Sequence, residues 1–164
     1  MRPLQRIATP IAALLVILVM TTCSGDDCPI NNTVLGKMAF YNTLDDAVEI
    51  TGTLTMSAVR PQGDSVILNR KSRASEVTFP LSYTNETDTF VFCYDFADLV
   101  LYDTLYISHT NTPTLVSIDC GTAMFHTLTV ASSTHTLIDT LIIKSTEIDY
   151  DERENIQVIL HPVD

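Results

Sequence analysis

Val48-Glu49-Ile50-Thr51-Gly52-Thr53-Leu54-Thr55-Met56-Ser57-Ala58 alternates apolar and polar side chains over eleven residues. Successive side chains of a β-strand point to opposite faces, so this period of two describes a strand with one dry face and one wet face. Gly52 takes one inward place and predicts a bulge there. Arg60-Pro61-Gln62-Gly63-Asp64 then reads as a turn, and residues 65–69 as the returning strand.

The same signal recurs along the chain. Val77, Phe79, Leu81 and Tyr83 alternate, Asn85-Glu86-Thr87-Asp88 turns the chain, and Phe90, Phe92, Tyr94 and Phe96 form the most aromatic stripe. Residues 105–107, 115–118, 123–130, 137–144 and 156–160 add strands, with a loop expected at Asn111-Thr112-Pro113 and an early strand at residues 35–41. Helical period is absent from this part beyond one turn at residues 95–99. About ten short strands at this spacing predict a single all-β domain over residues 34–164. It is sandwich-like in the immunoglobulin manner or a partly closed antiparallel barrel. Abundant Thr suits half-exposed strands, and with five Gly the turns must draw on Asn, Asp and Pro.

The N-terminus has a different composition. Arg2 and Arg6 precede an apolar run at residues 11–20 that is too short to cross a bilayer, which takes roughly 20 residues. A charged start and a short apolar segment fit a signal peptide over residues 1–22. Met20-Thr21-Thr22-Cys23 resembles the lipobox of bacterial lipoproteins, which implies cleavage before Cys23 and lipid on its thiol. Residues 23–33 then form a tether. Ser24-Gly25-Asp26-Asp27 resembles the surface-export signal of Bacteroidetes-type lipoproteins. The expected address is the outer membrane, on the cell surface or otherwise on the periplasmic side. After residue 22 the chain carries seven basic and twenty acidic residues, a net −13, which repels nucleic acid.

Lipidation of Cys23 leaves Cys28, Cys93 and Cys120. An oxidising compartment favours one bridge among the three. Cys28 lies in the tether and Cys120 at a strand end before Gly121, so Cys28–Cys120 is the expected disulfide. Cys93, mid-strand between Phe92 and Tyr94, is expected as a buried, inert thiol.

The polar residues commit to no chemistry. His109, His126, His135 and His161 show no short-range pair of the kind metal sites use, so no metal or other cofactor is expected. There is no G-x-S-x-G, no H-E-x-x-H and no phosphate-cradling glycine loop. Asp149-Tyr150-Asp151-Glu152-Arg153-Glu154 lacks calcium-loop spacing and reads as a solvated loop. Arg60, Arg70, Lys71 and Arg73 form a local basic run, read as charge that blunts a sheet edge in preference to an anion-binding patch. With no Trp, and with Tyr83 and Tyr94 on inward stripes, a glycan platform lacks support. Asp64-Ser65-Val66, Asp103-Thr104-Leu105 and Asp139-Thr140-Leu141 resemble the Asp-Ser/Thr-aliphatic acceptor of Bacteroidetes-type O-glycosylation, which makes Ser65, Thr104 and Thr140 candidate acceptors.

Leu115-Val116-Ser117-Ile118-Asp119-Cys120-Gly121, Leu137-Ile138-Asp139-Thr140-Leu141-Ile142-Ile143 and Glu154-Asn155-Ile156-Gln157-Val158, with Phe40-Tyr41 upstream, resemble an uncharacterised family of small Bacteroidetes-type lipoproteins known only as a domain of unknown function. The resemblance implies a β-rich domain at the outer membrane and no activity. The expected role is a non-catalytic binding or accessory component of the envelope, tethered by lipid and partnered by another outer-membrane protein such as a β-barrel. A surface glycan-binding module is the alternative, and an enzyme of unrecognised type the second.

Overall fold

The structure, a computed structural model, describes residues 33–162. The expected signal peptide at 1–22, the lipidation site Cys23 and the bridge partner Cys28 lie outside the described residues. Ten strands make up the described chain: β1 (Leu35–Tyr41), β2 (Thr53–Ala58), β3 (Ser65–Ser72), β4 (Glu76–Pro80), β5 (Thr87–Asp95), β6 (Val100–Ser117), β7 (Gly121–Ser133), β8 (Ile138–Ile143), β9 (Glu147–Ile148) and β10 (Ile156–Leu160). They form a four-stranded sheet in the order β4-β1-β10-β8 and a curled six-stranded sheet in the order β3-β2-β5-β6-β7-β9. The all-β expectation holds.

The core lies between the sheets. Phe90, Phe92 and Tyr94 of β5 face Met38 and Phe40 of β1, Phe79 of β4, and Ile156 and Val158 of β10, all of them buried. Phe40 meets Phe92 edge-on at 6.3 Å and Phe79 meets Phe90 at 5.8 Å, the T-shaped geometry that aromatic quadrupoles favour. The aromatic stripe read from the sequence is therefore the centre of the core. Every strand pair is antiparallel except β1 with β10, where Met38 faces Ile156.

The segment at 48–58 is two pieces. The Val48 and Ile50 amides donate to Phe40 and Ala74 carbonyls beside the four-stranded sheet, whereas β2 from Thr53 onward belongs to the six-stranded one. The chain changes sheet at Gly52, where a Cβ would stand 2.1 Å from the Asp95 carbonyl oxygen. The alternation survives because both pieces keep their apolar residues toward the same core. The loop expected at Asn111-Thr112-Pro113 is instead the middle of β6, which pairs with β7 from Leu105 to Ser117. Proline is tolerated because β5 pairs with β6 only as far as Ser108, so beyond that point one edge of β6 is open. The turn expected at 95–99 is not helical: the Phe96 amide donates to the Leu99 carbonyl and Ala97 has φ of 66°.

These registers give the domain two ends. Thr33 and Leu35 lie at one end, with Pro80, Thr87 and Ser108. Tyr41, Leu160, Asp95 and Val100 lie at the other.

Candidate functional site

At the end away from Thr33 the sandwich opens into a cleft of about 340 Å³. Leu44, Val48, Ile50, Phe96, Leu137 and Leu160 supply its apolar wall, with Asn42, Glu49 and His161 at its polar margin. The volume is at the small end of ligand pockets. One wall is set by Asp103 of β6, which is fully buried. Its carboxylate accepts bonds from the backbone amides of Thr136 (2.7 Å), Leu137 (2.8 Å) and Ile138 (3.1 Å) and from the Thr134 hydroxyl (2.9 Å). Those residues carry the chain from β7 across to β8. The buried carboxylate thus satisfies the backbone where it leaves one sheet and has not joined the other. Above Asp103 the Tyr94 hydroxyl is buried without a partner, and burial, followed by the Asp103 charge, raises its pKa well above the usual value.

At the Thr33 end lies a second buried polar group. Asp88 of β5 accepts from the Arg60 guanidinium at 2.7 Å and from the Ser82 amide at 2.6 Å, and its Oδ2 lies 3.1 Å from His109 Nε2. His109 Nδ1 and His126 Nδ1 lie 2.9 Å and 2.7 Å from the same Asn111 Oδ1, while Asn111 Nδ2 donates to the Asn85 carbonyl. Both ring nitrogens of His109 thus face side-chain oxygens, one of Asn111 and one of Asp88. His126 is 1% exposed, its Nε2 has no partner, and Tyr83 stacks on it at 6.0 Å. Desolvation, and then the neighbouring His109, lower its pKa to about 4. With Asp88, His109 and His126 buried and Arg60 and Tyr83 reaching the surface, this group is built to hold strands together.

The sequence reading missed this pairing of histidines. Its cause is the misplaced loop: once residues 111–113 are strand, Asn111 stands opposite His126 and the ring centroids of His109 and His126 are 5.1 Å apart. Tyr83, read as inward, is exposed. Cys93, read as buried, is half-buried on the outer face of β5, opposite Tyr102, whose hydroxyl pKa is raised first by its hydrogen bond with that thiol. The correction follows from the pleat: with Phe92 and Tyr94 inward, the residue between them must face out.

The remaining candidates divide between the two ends. Arg60 pairs with Asp88 at the Thr33 end, while Arg70 pairs with Asp95 (3.0 Å) and Arg73 with Glu49 (2.6 Å) beside the cleft, so the basic run does not form one patch. Arg153 is bonded to Asp149 and Asp151 within the acidic loop. His135 Nδ1 lies 2.8 Å from the Asp139 carbonyl and His161 3.8 Å from the Asp139 carboxylate. Among the described residues, no group of three or more His, Cys, Asp and Glu could hold a metal ion. Ser65 and Thr140 are exposed, whereas Thr104 is half-buried beside the committed Asp103. Cys93 is the free thiol of the described residues, and Cys120 is not free.

Asn155 explains one sequence motif. Buried after the acidic loop, it accepts from the Lys37 amide (3.0 Å) and donates to the carbonyls of Ser145 (3.2 Å) and Glu147 (2.8 Å), locking β1, β9 and the start of β10 together. Glu154 beside it accepts from the Tyr41 hydroxyl at 2.9 Å.

Fold and sites together define a two-sheet β domain with an apolar cleft at one end and a largely buried polar cluster at the other. The chain belongs to the family of unknown function DUF6452, whose model matches residues 53–160. Comparison with curated proteins and with solved structures finds no match.

Proposed function

We propose that this chain is an outer-membrane lipoprotein held by lipid on Cys23, and that its domain is a non-catalytic binding or accessory component of the cell envelope whose cleft receives a neighbouring outer-membrane protein such as a β-barrel. The observation that carries the reading is the polarity of the domain. The chain from Cys23 enters at Thr33, and the apolar cleft opens at the opposite end of β1. A domain tethered in this way presents its cleft away from its own anchor. Leu44, 79% exposed at the rim, gives a partner an apolar first contact. A Cys28–Cys120 bridge belongs to the same proposal, as do O-glycans on exposed Ser65 and Thr140.

The test has two arms. Cys23→Ser should move the chain from membranes to the soluble fraction, and retention after carbonate washing sinks the anchor. A photo-crosslinking residue at Leu44 should give adducts to one outer-membrane protein. Adducts forming from Tyr102 and not from Leu44 would place the partner on the sheet face instead. Peptide mapping without reductant tests the bridge, and recovery of Cys28 as a free thiol removes it.

A glycan-binding reading has one specific observation in its favour. Tyr102 and Tyr106, both exposed, lie four residues apart on one face of β6. Binding on a glycan array that Tyr102→Ala abolishes would favour it over the protein partner.

A further inference from the structure

Past Ser108, β6 leaves its pairing with β5 and continues with β7 as a two-stranded ribbon. β9 supports its base at His126 and Thr127, and Phe125 packs edge-on against Tyr150 at 5.4 Å. From Pro113 to Met124 the ribbon pairs only with itself among the described strands. The nine residues from His109 to Ser117, at about 3.3 Å each, make the ribbon about 30 Å long, the five from Pro113 onward form its unsupported end, and the registers send it outward from the Thr33 end.

The arm's surface differs from the rest of the molecule. In a chain with 18% charged residues, Asp119 is the sole Asp, Glu, Lys or Arg between Thr104 and Ile138. Its tip carries Ile118, 93% exposed, and Leu115, 66% exposed. An isolated hairpin with apolar side chains in water gains little from folding unless something covers them.

We infer that the tip of the β6–β7 ribbon rests in the lipid surface of the membrane to which the chain is anchored, with Ile118 and Leu115 entering the headgroup–acyl boundary. The inference rests on the anchored reading above and deepens it by specifying how the domain stands. Three observations select lipid as the occupant. The ribbon leaves the domain at the end where the chain enters, since Tyr83 stacks on His126 at the ribbon base and donates from its hydroxyl to Thr33 at 3.4 Å. The ten residues from Cys23 to Thr33 span at most about 35 Å, so the anchor and the ribbon tip reach the same plane. A domain with seven basic and eighteen acidic residues over 34–164, a net −11, is repelled by anionic lipid, and the ribbon, whose single charged residue is Asp119, is the part of its surface at this end that meets a bilayer with least of that repulsion. Apolar contact of this kind supplements acyl anchors, of which one alone holds only marginally.

The chain has no Trp, so a single substitution supplies a clean reporter. The lipidated full chain carrying Ile118→Trp is reconstituted in zwitterionic phosphatidylcholine vesicles with brominated acyl chains, alongside Leu44→Trp at the cleft end. Both sites are exposed enough to leave the fold intact. The expected result is blue-shifted emission and at least twofold stronger bromolipid quenching for Ile118→Trp than for Leu44→Trp. Equal, weak quenching at both positions overturns the proposal. So does an Ile118→Trp spectrum that shifts in native membranes but not on vesicles, since a protein would then cover the tip. Intact mass reads lipidation separately. If Cys23 carries no lipid, the anchored reading fails, and the ribbon is judged by the same quenching at saturating vesicle concentration.

Discussion

Each end of the sandwich is organised by one buried aspartate, and the two are satisfied by different donors. Asp103, beside the cleft, is met by three backbone amides and a threonine hydroxyl. Asp88, at the Thr33 end, is met by a guanidinium, a histidine ring and one amide. Backbone amides do not titrate and do not move without the chain. The ring packed beside that histidine, His126, has its pKa lowered to about 4 by burial and then by His109. The same residue type therefore gives the cleft wall a fixed connection and sits, at the Thr33 end, beside a ring sensitive to proton concentration.

The largest expected effect is at Asp103. Asp103→Ala strands two buried amides and a partly buried one where the chain crosses between sheets, and we expect a loss of about 4 kcal/mol of stability in urea unfolding. Asp88→Ala should cost less, about 3 kcal/mol, because Arg60 can turn to water while His109 cannot. If Asp88→Ala proves the costlier, the ranking of the two ends is reversed.

A pH titration sharpens the contrast. His126 is held neutral in the fold, with its pKa lowered to about 4 from an unfolded value near 6.5. Below pH 6.5 the unfolded chain takes up a proton that the folded one refuses, so stability falls as pH drops from about 6.5 toward 4. The fall is on the order of 2 kcal/mol. His126→Phe should flatten that slope, measured by thermal unfolding across the same range, and an unchanged slope would move the titration elsewhere. The smallest effect is expected at Tyr94. Its hydroxyl is buried without a partner, so Tyr94→Phe should be neutral or stabilise by up to about 1 kcal/mol. A clear loss would mean that the hydroxyl is bonded in solution.

The period of two was enough to find the strands, since alternation reports which face is dry, whichever sheet a strand joins. It located β1 and β10 to the residue, and the aromatic stripe of β5 as core. It could not reveal that residues 48–58 change sheet, because both halves bury the same parity. Pro113 misled in the other direction, since the rule against proline in strands lapses on an open edge, and openness depends on where β5 stops. The histidine cluster was illegible for that reason. His109 and His126 are seventeen positions apart in sequence and meet only through the β6–β7 register. Asp103 was equally hidden, because a polar residue in a strand reads as exposed until the connection it serves is known. The cleft is a property of how two sheet ends diverge, and no local pattern encodes that.

The parallel pairing of β1 with β10 has a consequence for the order of assembly. Met38 and Ile156 are neighbours in the sheet and 118 positions apart in the chain. The four-stranded sheet has no centre until β10 arrives, and closing so long a loop comes late and slowly. Through most of its synthesis the chain holds an incomplete sandwich that has not locked. Under the exported, anchored reading proposed above, such delay keeps the chain threadable until its far end has passed.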